Sequence, residues 1–213
     1  PFPNWESAPV HSVALTDAGE VLVCNVAQAT LEIFSATTPP VWLDAVSVGL
    51  DPVSVRVRPG SREAWVVNHV SDSVSVIDLD RRVTTAVLPV LDEPGDVVFA
   101  GSPERAYVSC STDECLLVFD PSNLDTAPGR IDLRGEEPKA LAVDPSGQFV
   151  YAAFLCSGNR TTVLAGGGDF NGSTPPNVVS DAATPYGGQN PPPNAGNGFM
   201  PSRPAGQPTP PRV

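Results

Sequence analysis

The sequence predicts an all-β fold built from repeated four-stranded units, and three observations support this prediction. Four prolines, Pro9, Pro52, Pro94 and Pro138, recur at separations of 43, 42 and 44 residues. The 16 residues after each proline align without gaps. The aligned segments are rich in Val, Ile, Phe, Tyr and Trp and are separated by turn residues, and they lack the 3.6-residue apolar spacing of helices. A period near 43 residues with four short strands per unit is typical of a β-propeller blade.

Each unit begins with two β-rich runs that enclose a turn. The paired runs are residues 10–15 and 21–25, 53–58 and 64–68, 95–100 and 106–110, and 139–143 and 150–154. A third run follows a short polar loop in the first three units, at 30–35, 73–78 and 115–120, and a fourth run lies at 41–48, 83–88 and 129–133. The fourth unit is partial, with a short third strand expected at 161–164. One blade has two apolar faces, so blades must stack face to face to bury them.

These runs divide the chain into a propeller segment and a tail. We assign residues 1–164 to the propeller, with blades at about 9–51, 52–93, 94–137 and 138–164. Residues 165–213 contain 11 prolines and 9 glycines among 49 residues. Such a segment buries too little apolar surface to offset its ordering entropy. It is therefore expected to be an irregular linker or a loop inserted in a blade.

The second unit carries a family resemblance. Its residues 65–68, Trp-Val-Val-Asn, followed by His69 and by the run 72–78, Asp-Ser-Val-Ser-Val-Ile-Asp, closely resemble the YVTN β-propeller repeat. The family includes surface-layer-like proteins, lactonase-like propellers and modules fused to c-type cytochromes. Its members usually have seven blades, so the resemblance implies that this chain is the N-terminal part of a larger propeller. It also implies an exported bacterial protein, located in the periplasm, at the cell surface or outside the cell.

The composition excludes two classes of partner. The 213 residues carry a net charge of −12, and no basic stripe interrupts the acidic balance. Nucleic acids and anionic membrane surfaces are polyanions, so neither is an expected partner. No run of 18 apolar residues is present, and membrane insertion is therefore not expected.

Two of the four cysteines are candidates for a disulfide. Cys110 ends one predicted strand and Cys115 begins the next, across a four-residue loop. Opposed hairpin positions can meet disulfide geometry, and the alternative is a pair of buried thiols. No Cys-x-x-Cys pair occurs, so the usual zinc and haem-attachment spacings are absent from the sequence.

Three loop residues are candidates for a surface that lines the central funnel: His69, Asp72 and Asp113. His69 is a weak metal candidate, because His11 is the only other histidine and further ligands would have to come from other blades. The alternative is a histidine that makes one structural hydrogen bond. Aspartates in turns commonly bond nearby backbone N–H groups, which is the alternative for Asp72 and Asp113.

The sequence therefore favours a non-catalytic binding or scaffold module, whose partners are the remaining blades and a protein, glycan or redox partner. No catalytic residue and no cofactor is assigned within this chain. The alternatives are part of a lactonase-like or quinoprotein-like enzyme, or a docking platform for a fused cytochrome with haem c in a downstream domain. A downstream Cys-x-x-Cys-His motif would identify the last of these.

Overall fold

A computed structural model describes residues 9–156, and the regular secondary structure in this range consists of β-strands. The strands, in chain order, are β1 (Val13–Leu15), β2 (Glu20–Asn25), β3 (Thr30–Ser35), β4 (Trp42–Ser47), β5 (Pro52–Val57), β6 (Glu63–Asn68), β7 (Ser73–Asp78), β8 (Val83–Pro89), β9 (Pro94–Ala100), β10 (Arg105–Cys110), β11 (Cys115–Phe119), β12 (Gly129–Asp132), β13 (Glu136–Val143) and β14 (Val150–Cys156). Within this range no helix is long and apolar enough to cross a membrane.

The strands form antiparallel sheets whose order follows the chain. Strands β1–β4, β5–β8 and β9–β12 each make a four-stranded sheet, and β13 pairs with β14. We call these sheets blades 1 to 4. The predicted all-β propeller architecture is confirmed. The strand predicted at 161–164 and the tail 165–213 lie outside the described residues.

Several strand bounds differ from the predicted runs, most of them by one or two residues, and β1 begins three residues later than predicted. Two of the differences have a local reason. Strand β11 ends at Phe119, because the Asp120 carboxylate accepts the N–H of Ser122 at 2.9 Å and starts a turn. Strand β13 begins before Pro138, and its pairing register with β14 shifts between Pro138 and Leu141. Proline has no N–H for the ladder, so a bulge accommodates it inside the strand.

The first strands of successive blades lie side by side, with β1 against β5, β5 against β9, and β9 against β13. They are therefore the inner strands of the stack. A repeated backbone feature lies at the start of three of them: Asp51, Glu93 and Glu137 have φ values of 56°, 53° and 53°, directly before a proline. The left-handed conformation is unusual for residues with a Cβ. Its recurrence shows that the chain enters blades 2, 3 and 4 with the same backbone conformation.

Apolar clusters between the blades form the core. Trp65 of β6 is fully buried between blades 2 and 3. Its ring makes edge-to-face contacts with Phe99 at a centroid distance of 5.4 Å and with Phe119 at 6.1 Å. Further clusters join blade 1 to blade 2, around Leu22, and blade 3 to blade 4, around Leu141. Each sheet thus buries a face against its neighbour, as the repeat predicts.

The turn between β13 and β14 carries a carboxyl that is organised by hydrogen bonds. Asp144 accepts bonds from the hydroxyl and N–H of Ser146 and from the N–H groups of Gln148 and Phe149. The Ser146 hydroxyl bond, followed by the Phe149 N–H, lowers the pKa of Asp144 to about 2. Its unfolded value is about 3.9. A carboxyl with a lowered folded pKa stabilises the fold above its unfolded pKa, and this contribution disappears as the pH falls towards 2.

We therefore expect Asp144→Asn to lower the urea midpoint at neutral pH and to have a shrinking effect as the pH falls from about 4 to about 2. Urea unfolding of both proteins across this range measures the effect. The exposed Asp17 lies in the corresponding turn of blade 1, so Asp17→Asn is the matched control and should follow the wild-type protein. A midpoint difference that stays constant down to pH 2 would contradict this assignment.

Candidate ligand-binding site at the inner strands

Three polar residues occupy the same column of the repeat, two positions after the prolines of units 1 to 3. They are His11, Ser54 and Asp96. The inner strands bring this column together: His11 Nδ1 lies 2.9 Å from Asp96 Oδ2, and the Ser54 hydroxyl donates to Asp96 Oδ1 at 2.6 Å. His11 lies two residues before β1 and forms a parallel bridge with Ser54 of β5, and β5 lies beside β9, so residues 85 positions apart in the chain meet.

Asp96 is the centre of this cluster, and its side chain is 0% exposed. Besides Ser54, the N–H groups of Val97 and Leu141 donate to its carboxylate at 2.9 and 2.8 Å. The guanidinium of Arg56 pairs with it, with Nη2 at 3.3 Å from Oδ2. A buried carboxylate is costly without donors and a counter-charge, and here blades 2, 3 and 4 supply them. Asp96 therefore joins the blades through polar contacts.

Arg56 and His11 form the outer part of the cluster. Their side chains are 30% and 37% exposed. Arg56 Nη2 lies 2.7 Å from His11 Nδ1 and also donates to the Leu141 carbonyl at 3.3 Å. The His11 Nδ1 atom carries either a proton or a lone pair, so it cannot donate to Asp96 and accept from Arg56 at once. The proton position on His11 therefore selects one of these two bonds.

A cleft of about 380 Å³ opens beside these two side chains. Apart from His11 and Arg56 its lining is apolar and comes mainly from inner strands, with Val57, Val98 and Ala142 among the contributors. Small-molecule sites are commonly concave and apolar with a few placed polar groups, and range from roughly 300 to 1,000 Å³. This cleft has the size and chemistry of such a site.

His69 has a structural partner. It is buried, and its Nδ1 lies 3.0 Å from the Pro94 carbonyl oxygen. A carbonyl only accepts, so Nδ1 carries the proton and donates. Within residues 9–156 no group of three or more His, Cys, Asp or Glu side chains is arranged to hold a metal ion. The structure thus gives the His69 imidazole a backbone partner, and its role as a metal ligand stays a prediction.

Asp72 and Asp113 also bond backbone groups. Asp72 Oδ1 accepts the N–H of Glu93 at 3.1 Å, and Asp113 Oδ2 accepts the N–H of Asp92 at 3.0 Å. In both cases a loop after a second strand is fastened to the loop that leads into blade 3. Among the hydrogen bonds of residues 9–156, none joins His69, Asp72 or Asp113 to another of the three. The structure gives each of them a separate partner.

Cys110 and Cys115 are opposed across the hairpin, as predicted, and form a direct Cα pair of strands β10 and β11. Both are buried free thiols, so the structure shows the alternative rather than the bridge. Burial raises the pKa of Cys110 to about 12 and also raises that of Cys115. Thiols with raised pKa values are poor nucleophiles. Oxidation of this pair to a disulfide stays a prediction.

The residues that form the cleft were missed by sequence reasoning, although the repeat alignment contained a signal. Inner strands are apolar in most columns, and a run of His11, Ser54 and Asp96 in one column departs from that pattern. Polar residues in a buried column need partners, and residues in the same column of adjacent repeats are the nearest candidates.

No protein-family profile matches the chain, and no curated protein matches it either. Solved structures do match. The chain is similar to hydrazine synthase from Kuenenia stuttgartiensis, with a TM-score of 0.64 and 22% identity over 74% of this chain and 45% of that chain. It is also similar to a functionally unknown protein from Desulfotomaculum acetoxidans DSM 771, with a TM-score of 0.60 and 15% identity over 68% and 49% of the two chains.

A third similar structure is the dihydro-heme d1 dehydrogenase NirN in complex with DHE, with a TM-score of 0.57 and 15% identity over 72% of this chain and 34% of that one. Identities of 15–22% show the β-propeller fold alone. The chain spans between a third and a half of the length of these three solved chains.

Proposed function

We propose that this chain is a non-catalytic ligand-binding module whose site is the inner-strand cleft. The observation that carries the proposal is the way the cleft is built. A fully buried carboxylate, Asp96, holds Arg56 and His11 in place at the edge of an otherwise apolar cavity. Rigidly held polar groups beside apolar walls favour binding, because the site does not have to be ordered when the ligand arrives.

The contacts of His11 favour binding over catalysis. Nucleophilic catalysis needs a hydroxyl or thiol within hydrogen-bond reach of its base. Ser54 is the hydroxyl in this cluster, and it donates to Asp96. The hydrogen bonds of His11 in residues 9–156 run to Asp96, to Arg56 and along the backbone. The described part of the chain thus pairs no nucleophile with this imidazole.

The same proposal includes the family of the chain, its place in the ring and its export. We place the chain among YVTN-type propellers, as the N-terminal part of a larger ring in an exported bacterial protein. Exposed apolar residues on the first and last described strands support further blades as partners, since a closed ring would cover these faces: Val13 and Leu15 on β1, and Tyr151 and Leu155 on β14. A protein, glycan or redox partner would then meet the completed ring.

The test is an activity measurement on the full-length protein with lactones and oxidisable alcohols. The proposal expects no turnover above the uncatalysed rate. Turnover that is lost in a His11→Gln variant would overturn it, because that result would make the cleft a catalytic site. Arg81→Gln, a change of an exposed residue, is the control for non-specific effects.

One observation favours an enzyme as the second candidate. The buried Asp96 lies 2.9 Å from His11 Nδ1, which is the way a carboxylate orients a catalytic imidazole. The ring's Nε2 would then act as a general base on a ligand in the cleft. A bell-shaped or sigmoidal pH–rate profile that disappears in His11→Gln would support this candidate over the binding module.

A further inference from the structure

We infer that the cleft selects a monocarboxylate with an apolar body, such as a medium-chain fatty acid. This inference rests on the proposed binding function and adds the class of ligand. Three features of the described residues lead to it: the sign of the charge at the cleft, the donors that remain on Arg56, and the apolar walls.

The charge that reaches the cleft is positive, although the whole chain carries −12. Arg56 and His11 are the polar side chains of the lining, and no aspartate or glutamate is among the residues that line it. The Asp96 carboxylate that pairs with them is 0% exposed. A ligand in the cleft therefore meets a guanidinium and an imidazole first, and these groups favour an anionic head.

Arg56 keeps donors for such a head. Its Nε and Nη2 face Asp96, and Nη2 also contacts His11 and the Leu141 carbonyl. The hydrogen bonds of residues 9–156 assign no partner to Nη1, which carries two N–H groups. A guanidinium has five N–H donors in a fixed fork and binds carboxylates through them. Among the described contacts Nη1 thus remains available to donate to a carboxylate oxygen.

A single negative charge suits this site better than two. Asp96 already pairs with Arg56 at 3.3 Å, so the guanidinium charge that reaches the cleft is partly offset and can balance at most one further negative charge. A phosphate or a dicarboxylate would bring more negative charge than these groups balance. Nothing else in the lining would compensate it, because the remaining residues are apolar.

The apolar lining of the cleft favours a ligand whose body is apolar. Val57, Phe99 and Ala142 supply apolar surface from three adjacent inner strands. An alkyl or aromatic body that enters this space loses contact with water, and this favours binding roughly in proportion to the apolar area buried. The cavity of about 380 Å³ has room for a chain of medium length.

The experiment is calorimetric titration of the full 213-residue chain with two probes that share an eight-carbon body, octanoate and octan-1-ol, below micelle-forming concentrations. We expect octanoate to bind about tenfold more tightly or better, because only its carboxylate makes charge-assisted bonds with Arg56. Equal affinity for the two probes, or no binding of octanoate, would overturn the assignment of a carboxylate ligand.

A pair of variants locates the binding site. Ala142 is exposed in the cleft and has no role in the Asp96 network, so Ala142→Trp should fill the cavity and weaken octanoate binding by about tenfold or more. Ala153→Trp makes the same change at an exposed position of the neighbouring strand β14, outside the cleft, and should bind octanoate like the wild-type chain. Circular dichroism of both variants checks that they are folded.

The outcomes separate this inference from the proposed function. If Ala142→Trp binds octanoate as tightly as Ala153→Trp, the cleft is not the octanoate site and the inference is wrong. If octan-1-ol binds as tightly as octanoate and Ala142→Trp blocks it, the binding module stands and only the carboxylate class is overturned. Lactone or alcohol turnover that depends on His11 overturns the proposed function, whatever the titrations show.

Discussion

Replacing Trp65 by alanine is expected to lower the free energy of unfolding by about 3–5 kcal/mol, the usual cost of removing a large aromatic side chain from a core. Trp65 is 0% exposed and packs edge to face against Phe99 and Phe119 of the next blade. Its loss leaves a cavity between blades 2 and 3 that the two β-sheets cannot fully close. Urea or thermal unfolding followed by circular dichroism measures the change.

The chain offers a matched control in Trp42, which is 56% exposed on β4. Its indole N–H donates to the Glu32 carboxylate at 2.7 Å, but most of the ring is in solvent. Trp42→Ala should therefore cost less than about 1 kcal/mol, as is usual for surface positions. Equal losses of stability in the two variants would show that Trp65 is not the centre of the interface between blades.

Replacing Asp96 by leucine is expected to cost about 3–5 kcal/mol, because it leaves the Arg56 charge and several buried donors without their acceptor. The donors are the Ser54 hydroxyl and the N–H groups of Val97 and Leu141. Asp96→Asn keeps one acceptor oxygen and should cost less. Asp125 is exposed, and Asp125→Leu is the matched control, with an expected change within about 0.5 kcal/mol.

A double variant tests the cause of this loss. If the unpaired charge of Arg56 is a large part of the cost, Asp96→Leu combined with Arg56→Met should be more stable than the sum of the two single changes predicts. Strict additivity of the unfolding free energies would contradict the ion pair. The same series also tests how the site is held together, since Asp96 positions both side chains that face the cleft.

The blades were predictable because their signals are local. Prolines at a regular spacing, turn residues and β-branched runs mark strands such as Thr30–Ser35 and Ser73–Asp78, whose observed bounds match the predicted runs. The residues that end or bend a strand were harder to predict from the sequence. Asp120 ends β11 through a turn bond, and Pro138 causes a bulge within β13, and both effects depend on hydrogen bonds rather than on hydrophobic pattern.

The site was less predictable than the fold. Sequence reasoning favoured loops, since loops often carry function, and selected His69, Asp72 and Asp113. In the structure these side chains bond backbone groups of the loop and strand that enter blade 3. The contact between His11 and Asp96 depends instead on how closely the inner strands of blades 1 and 3 approach, and the repeat period does not specify that distance.

For Cys110 and Cys115 the sequence predicts the position of the side chains but not their oxidation state. Their opposition follows from a hairpin with a four-residue loop, so the sequence was sufficient to place them face to face. Their oxidation state depends on the redox environment and on access to the thiols, and both side chains are fully buried.

The most direct test of the account is a spectrum of its two histidines. In a chain labelled with ¹⁵N-histidine, the imidazole nitrogens of His11 and His69 are the only labelled side-chain sites. We predict that octanoate shifts the resonances of His11, which faces the cleft, and leaves those of His69, which is buried against the Pro94 carbonyl, unchanged. Unchanged His11 resonances in an excess of octanoate, or equal shifts of both histidines, would contradict a ligand site at the inner strands.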